Sequence, residues 1–347
     1  MTEDTATERG NGALGHRLVS NMERMTWDRI GSQSLDNARR NLRHLGDGKS
    51  IAELRGRAVK PGERAVVIAA GPSIKRQDPI TEIKRAGFEG AIVVTESAIY
   101  YSLRNGVIPD LIVTLDPHST RIVRWFGDPN LTAQRLEEDD YYRRQDMDAA
   151  FADEMRLNEE LLGLLDKHGK NMRIALATSA SQAVVDRVLS AGMEIYWWNP
   201  MLDDPDAADS RTMELFDLNG LPCINAGGNV GAAAWMISHA VLGRKHVALT
   251  GMDFSYYDET PYENTQYYRE ALELVGADKL DDLFIRIHNP HINAWFYTDP
   301  AYMWYRQSFL EMANDADCKT YNCTGGGILF GEGIEFLPLT AFLAGKY

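Results

Sequence analysis

The sequence predicts an α/β fold in which a mostly parallel sheet is covered by helices on both faces. From Ala65 onward, short apolar runs alternate with helix-like segments, a pattern typical of parallel strands joined by crossover helices. The runs are apolar almost throughout, as expected of strands that are buried on both faces. The predicted strands are residues 65–70, 91–95, 111–116, 173–178, 194–198 and 246–253.

Segments with helix-like periodicity lie between these strands and also before the first of them. Leu18, Met22 and Met25 are spaced as on one face of a helix, and a second such stretch runs from Leu35 to Leu45. We therefore expect a disordered start and a helical N-terminal extension over residues 1–60, docked on the core or on another subunit. The predicted helices of the main domain are residues 79–86, 97–104, 149–168, 179–190, 229–242 and 295–313.

Residues 61–347 are predicted to form one large domain, interrupted by a charged, helical insertion over residues 127–160. The formal net charge of −14 disfavours binding to nucleic acid, because a phosphate backbone is repelled by an acidic surface. The N-terminus is polar and acidic, unlike a secretory signal. The most apolar window, residues 230–243, is shorter than the roughly 20 residues that a membrane span needs. These observations predict a cytoplasmic protein with no membrane span.

Polar residues follow the predicted strands at the points where they end. In an open parallel sheet these points share one edge, here called the carboxyl edge, and ligands bind beyond it. A candidate site is therefore expected there. Its candidate binding residues are Gly71, Pro72, Ser73, Glu96, Ser97, Asp116, Gly227, Gly228, Asn229, Asp253 and Tyr256.

Two of these turns, "AAGPSI" and "NAGGNVGAAAW", are rich in glycine and lead into helix-like segments. Glycine lets the backbone approach a ligand closely, and free amides at a helix start favour a phosphate. Ser73 and Asn229 are also good helix caps, so capping is the alternative explanation. Neither turn matches GxxxxGK[ST] or GxGxxG, which disfavours a P-loop and an ordinary dinucleotide site.

Carboxylates and histidines supply the candidate catalytic groups. Asp116 ends an apolar strand, so it is expected to ligate Mg²⁺, to bind a ribose or to cap a following helix. Asp253 is placed similarly, and Glu96 either binds a ligand hydroxyl or faces solvent. His118, His288 and His291 are candidate general bases, because an unperturbed imidazole titrates near pH 6.5. Each histidine could equally be an ordinary surface residue.

Four sequence blocks resemble the MptE-like family, which includes archaeal 6-hydroxymethylpterin diphosphokinase and the Maf flagellin glycosyltransferases. They are "VVIAAGPSI", "TESAIYYSLRNGVIPDLIVTLDPH", "AGGNVGAAAWMISHAVLGRKHVALTGMDFSY" and "TYNCTGGGILFGEGIEFLPL", within residues 35–340. The first three are also distantly similar to bacterial CMP-sialic-acid sialyltransferases. The resemblance implies a Rossmann-like transferase domain over residues 61–347.

The resemblance leaves two activities open. The diphosphokinase branch carries a second acid in the motif that here reads "VTLDP", and the loss of that acid weakens a Mg-ATP site. The resemblance therefore favours a Maf-like glycosyltransferase with a CMP-activated nonulosonic acid as donor and a glycan or protein as acceptor. No cofactor is expected, and Mg²⁺ on Asp116 belongs to the diphosphokinase alternative. A non-catalytic sugar-nucleotide-binding protein is the second alternative.

Overall fold

A computed structural model describes residues 8–9, 12–54, 59–138 and 154–347. Its central sheet has the strand order β14-β13-β9-β3-β4-β5-β6-β7-β2, with β8 added beside β7. Every ladder of this sheet within the described residues is parallel, which confirms the predicted fold class. The strands are β1 Glu8–Arg9, β2 Lys49–Ser50, β3 Arg64–Ile68, β4 Ala91–Thr95, β5 Leu111–Thr114, β6 Arg173–Ala177, β7 Glu194–Pro200, β8 Cys223–Ile224, β9 His246–Thr250, β10 Tyr256–Tyr257, β11 Ile285–Asn289, β12 Ala294–Thr298, β13 Lys319–Asn322 and β14 Ile334–Phe336.

Helices cover both faces of this sheet, and their starts follow ordinary capping chemistry. Ser181, Ser210 and Asn229 each accept a backbone N–H from the first turn of the helix that follows. The helices are α1 Ala13–Asn41, α2 Ser73–Gln77, α3 Pro79–Ala86, α4 Ile99–Arg104, α5 Ala133–Glu138, α6 Glu154–His168, α7 Gln182–Ala191, α8 Arg211–Asn219, α9 Val230–Met236, α10 Tyr268–Val275, α11 Leu280–Leu283, α12 Pro300–Asn314 and α13 Leu339–Leu343.

The two faces of the sheet bury separate cores. Val67 and Val93 lie side by side in one core, whereas Val66 and Ile92 lie side by side in the other. Each such side chain contributes about 1.5–3 kcal/mol when it is fully buried. Because both faces are covered, the strands read as continuous apolar runs, and this is why all six predicted strands are found.

Several predicted elements need correction. The N-terminal extension forms one 29-residue helix, α1, rather than two. The helix expected from residue 295 begins at Pro300, because residues 294–298 form β12 and Asp299 caps the helix. Of the predicted insertion, residues 133–138 and 154–160 are helical and residues 139–153 lie outside the described residues, as do positions 1–7 and 10–11 of the expected disordered start.

The sequence patterns did not predict a second, antiparallel sheet with the order β1-β11-β12-β10. Its strands β10, β11 and β12 follow β9 in the chain, whereas β1 comes from the N-terminal segment and pairs with β11. In the part of the chain that the structure describes, no helix has the length and apolar character needed to cross a bilayer.

Candidate functional site

The turn after β3 contacts the end of β9 at the carboxyl edge. The Gly71 amide donates to the Gly251 carbonyl oxygen over 2.8 Å. Ser73 donates to Oδ2 of Asp253 twice, from its hydroxyl group over 2.8 Å and from its amide over 3.3 Å. A Cβ atom on Gly71 would lie 2.2 Å from the same carboxylate oxygen, so no other residue fits there. The glycine-proline-serine turn is therefore built around Asp253.

Ser73 is not a helix cap, contrary to one of the two explanations from the sequence. Pro72 occupies the cap position of α2 and has no side-chain cap bond. Ser73 is instead the first residue of α2, and its buried side chain is directed to Asp253. The hydroxyl group thus links two strands of the sheet rather than satisfying its own helix.

A third glycine-rich turn, Gly325–Gly327, closes over Asp253 from β13. A Cβ atom on Gly326 would lie 2.9 Å from the Tyr257 hydroxyl oxygen and 3.6 Å from Oδ1 of Asp253. The Ile328 amide donates to the Asp253 carbonyl oxygen over 2.9 Å. The block "CTGGGI" was part of the family resemblance, yet no periodicity assigned a role to it. The strand order explains the role of this block: β13 lies beside β9, so the turn after β13 reaches Asp253.

Burial dominates the electrostatics of Asp253. Its side chain is 3% exposed, and Oδ1 has no hydrogen-bond partner among the described residues. Burial raises the pKa of Asp253 to about 7, and the two bonds from Ser73 oppose that rise. Its oxygens are covered by Ser73 and Gly326, so the carboxyl group holds the turns at this edge.

Arg76 and Tyr257 lie next to this carboxyl group, and no pattern in the sequence singled out Arg76. The Arg76 guanidinium lies 3.5 Å from the centre of the Tyr257 ring and pairs with Glu259. Its charge also opposes the rise in the pKa of Asp253. Arg76 follows Ser73 by three residues and so lies on the same side of α2, a spacing that could have identified it.

The second predicted turn, Gly227-Gly228-Asn229, lies near the same strand end. A Cβ atom on Gly231 would lie 3.2 Å from Met252, which precedes Asp253. Asn229 caps α9, as one of the two explanations from the sequence required. Gly228 has a φ of 77°, and a Cβ atom there would lie 2.6 Å from the Trp304 ring. The turns at residues 71–73 and 227–229 therefore both lie near residues 251–253. Position 228 is a glycine because the Trp304 ring leaves no room for a side chain there.

Glu96 and Asp116 are two further acids at the carboxyl edge. β4 and β5 run in register with Thr95 opposite Val113, so Glu96 follows β4 where Thr114 ends β5. Burial, and to a smaller extent the charge of Asp116, raise the pKa of Glu96 to about 8. The Glu96 Oε2 and Thr114 Oγ1 atoms are buried and have no hydrogen-bond partner among the described residues. Burial therefore favours the protonated, neutral form of Glu96.

Asp116 is half-buried and closes a local turn. Its Oδ1 atom accepts the His118 amide over 2.7 Å, so it caps a turn and not a helix. The Nδ1 atom of His118 accepts the amides of Thr120 and Arg121 over 3.3 and 3.2 Å. In the neutral imidazole the proton is then on Nε2, which makes His118 unsuited to the predicted role of general base. Ser97 is half-buried, and its hydroxyl oxygen lies 3.0 Å from that of Thr95.

The remaining predicted residues lie in or beside the antiparallel sheet. His288 is on β11, with Nε2 3.1 Å from the Asn293 side-chain oxygen. His291 is exposed and stacks on Phe336 at 4.8 Å. Tyr256 is buried; its hydroxyl donates to Asp299 and accepts the Gln266 amide. These hydrogen bonds and ring contacts are made with residues other than Glu96, Asp116 and Asp253.

The parallel sheet and its glycine-rich carboxyl edge define an α/β protein of Rossmann-like architecture. Residues 35–128 match the family model described as "6-hydroxymethylpterin diphosphokinase MptE-like", so this segment is similar to that family. The segment contains the turn at residues 71–73 and both Glu96 and Asp116. The match contains the first two of the four sequence blocks and confirms the predicted resemblance to the MptE-like family over that segment.

The fold is also similar to the solved structure of a Maf glycosyltransferase from Magnetospirillum magneticum AMB-1. The TM-score is 0.50 at 14% sequence identity, and the match covers 90% of this chain. It covers 41% of the other chain, so this protein spans about two fifths of that length. A comparison with curated proteins gave no match. The similarity supports the predicted fold class.

Proposed function

We propose that this protein is a glycosyltransferase that uses a nucleotide-activated sugar, with a CMP-activated nonulosonic acid as donor. The observation that carries the proposal is the contact between the turn at residues 71–73 and Asp253 at the carboxyl edge. This contact holds the turn at the carboxyl edge of the sheet, where open α/β folds bind their ligands. The similarity of the fold to a Maf glycosyltransferase is in keeping with this assignment.

In the proposed complex, the donor phosphate lies between the turns at residues 71–73 and 228–229. The Gly71 and Ser73 amides are already bonded to Gly251 and Asp253, so we assign the Gly228 amide as the donor to the phosphate. Glu96, Ser97 and Asp116 bind the ribose and the cytosine. A neutral Glu96 suits cytosine, because a carboxylic acid can donate to the ring nitrogen N3 and accept from the exocyclic amine. Stabilisation of the CMP leaving group by fixed amides and positioning of the two substrates supply most of the rate enhancement.

Asp116 is the acid that we assign to accept the proton of the acceptor hydroxyl. It is half-buried, whereas Asp253 is sealed by the turns around it. The amide of His118 donates to Asp116 and stabilises its ionised form. Asp253 then serves to hold the turn at residues 71–73 in place. His118, with its proton on Nε2, is a hydrogen-bond donor in this scheme.

The alternative is transfer of pyrophosphate from Mg-ATP to a pterin alcohol, the activity named in the description of the matching family. This reaction would need Asp116 and a further ionised carboxylate to hold Mg²⁺. Burial raises the pKa of Glu96 to about 8 and favours its neutral form, which leaves Asp116 as the ionised carboxylate of the two. Among the described residues, no group of three or more His, Cys, Asp or Glu side chains is placed to hold a metal ion. The residues at this edge therefore fit CMP better than Mg-ATP.

Turnover of a synthetic CMP-activated nonulosonic acid tests the proposal. We expect release of CMP, by transfer or by slow hydrolysis, at the same rate with and without EDTA. Formation of AMP from ATP and a pterin alcohol, abolished by EDTA, with no CMP release, would establish the alternative. Binding of the donor without any turnover would identify a sugar-nucleotide-binding protein.

A further inference from the structure

Two asparagines near the end of α1 contact the loops that leave β5 and β6. The side-chain amide of Asn37 donates to the Pro117 carbonyl oxygen over 2.9 Å and to the Ser179 carbonyl oxygen over 2.8 Å. Asn41, one helical turn later, donates to the carbonyl oxygens of Thr178 and Ala180, each over 2.8 Å. Each amide thus uses both of its hydrogens on the carboxyl edge.

These contacts are buried and specific. Asn37 is 3% exposed and Asn41 is fully buried. The side-chain oxygen of Asn37 accepts from the Arg40 guanidinium over 3.0 Å, which fixes the orientation of the amide. An apolar residue at position 37 would leave two carbonyl groups without donors, and an aspartate would present an oxygen to them in place of two hydrogens.

The two loops meet where the ladder between β5 and β6 has ended. Thr114 and Leu176 are the last paired residues of this ladder. Beyond that point the Ser179 hydroxyl donates to the Leu115 carbonyl oxygen over 3.2 Å. Asn37 adds a second bridge, because its two acceptors belong one to each loop. Pro117 is the residue directly after Asp116, so this bridge fixes the turn that carries the carboxylate.

We propose that Asn37 and Asn41 are positioning residues of the active site and that α1 is part of that site. The proposal rests on the function proposed above, since it concerns the placement of Asp116 toward a nucleotide. It changes the predicted division of the chain: the helical extension over residues 1–60 contributes to the site of the domain that follows.

The test compares Asn37→Asp with Leu35→Ala on the same helix. Leu35 packs against Ala38, Leu202 and Leu215 and has no part in the bridge, so its truncation loosens α1 without removing a contact to the loops that leave β5 and β6. The probes are the dissociation constant of CMP and the hydrogen-exchange rates of the His118, Thr120 and Arg121 amides, all held within the Asp116 turn.

We expect Asn37→Asp to weaken CMP binding more than about tenfold and to accelerate exchange in the Asp116 turn. Leu35→Ala should change the CMP dissociation constant less than about threefold at a similar loss of thermal stability. Should Asn37→Asp fail to fold, Arg40→Ala provides the milder change: Arg40 is exposed and only orients the Asn37 amide, so a smaller shift of the same sign is expected.

Equal effects of Asn37→Asp and Leu35→Ala on CMP binding, or unchanged exchange in the Asp116 turn, would overturn the positioning role. If the unmodified protein binds no CMP, the proposed function fails and the exchange rates decide alone. Faster exchange at His118, Thr120 and Arg121 in Asn37→Asp but not in Leu35→Ala would still support the bridge, and unchanged rates would refute it.

Discussion

The hydroxyl group of Ser73 donates a hydrogen bond to Oδ2 of Asp253 over 2.8 Å, joining residues that are 180 positions apart in the chain. This bond ties the glycine-proline-serine turn after β3 to the end of β9. It also explains why the turn has a serine and why Gly71 has no room for a side chain. The geometry of the turn at residues 71–73 therefore depends on one buried carboxyl group.

Replacement of Ser73 by alanine should lower the free energy of unfolding by about 1–2 kcal/mol, because a buried acceptor loses its closer donor. Urea denaturation followed by circular dichroism measures this change. Ser20→Ala is the control, since the Ser20 hydroxyl bonds to its own helix at an exposed position. Equal stabilities of Ser73→Ala and the unmodified protein would contradict the proposed role of the bond.

Replacement of Asp253 by asparagine should remove a pH-dependent part of the stability. The folded chain holds the Asp253 proton up to about pH 7, whereas an unfolded chain releases it near the ordinary value of 3.8. Between these values the folded state binds more protons, so its stability falls as pH rises toward 7. We expect the melting temperature of the unmodified protein, relative to Asp253→Asn, to decrease across this window.

Glu96 and Asp299, whose pKa values are also raised by burial, to about 8 and about 6, titrate in both proteins and cancel in the comparison. Melting curves that stay parallel from about pH 4 to about pH 8 would show that Asp253 is already ionised at low pH. Asp253 would then have to be solvated, and its role in holding the turns would be wrong.

Replacement of Gly71 by alanine should destabilise the protein by about 2 kcal/mol or more, or prevent folding, since the added Cβ atom meets Asp253 and the Gly251 carbonyl oxygen. Gly163→Ala is the matched control. Gly163 lies within α6 with open space around it, so alanine there should stabilise the helix by about 0.5–1 kcal/mol. Differential scanning calorimetry compares the two. Similar melting temperatures for both variants would contradict the described packing.

Replacement of Asp116 by asparagine should lower the rate of CMP release from the donor more than about tenfold, at least about 1.4 kcal/mol in the activation free energy. Asparagine keeps the oxygen that accepts the His118 amide, so the turn itself should persist. Asp186→Asn is the control, because Asp186 is exposed and accepts a hydrogen bond from Gln182, one turn earlier on the same helix. An unchanged rate in Asp116→Asn would remove Asp116 from the mechanism.

The central sheet was predictable because its strands are buried on both faces and therefore read as apolar runs. β13 and β14 were missed: "KTYN" and "IEF" are short and partly polar, and β14 lies at the edge of the sheet. β11 and β12 were missed because the segment "HNPHIN" between them was interpreted as a loop. Their pairing depends on the hairpin as a whole and not on local apolar content.

From the sequence, the candidate site could be predicted only as a set of residues that each follow a strand. The sequence indicates that Ser73 and Asp253 each follow a strand, but their contact requires β3 and β9 to be neighbours, which no local pattern encodes. The same holds for Gly326 beside Asp253. His288 and His291 were proposed from residue type alone, and they lie in and beside a sheet that the pattern did not reveal.

Calorimetric titration with CMP, in the presence of EDTA, tests the central claim most directly, with Mg-ATP titrated in parallel. The account predicts saturable binding of CMP that EDTA leaves unchanged and that Asn229→Ala and Asp116→Asn weaken. Saturable, Mg²⁺-dependent binding of ATP by a protein that does not bind CMP would contradict it.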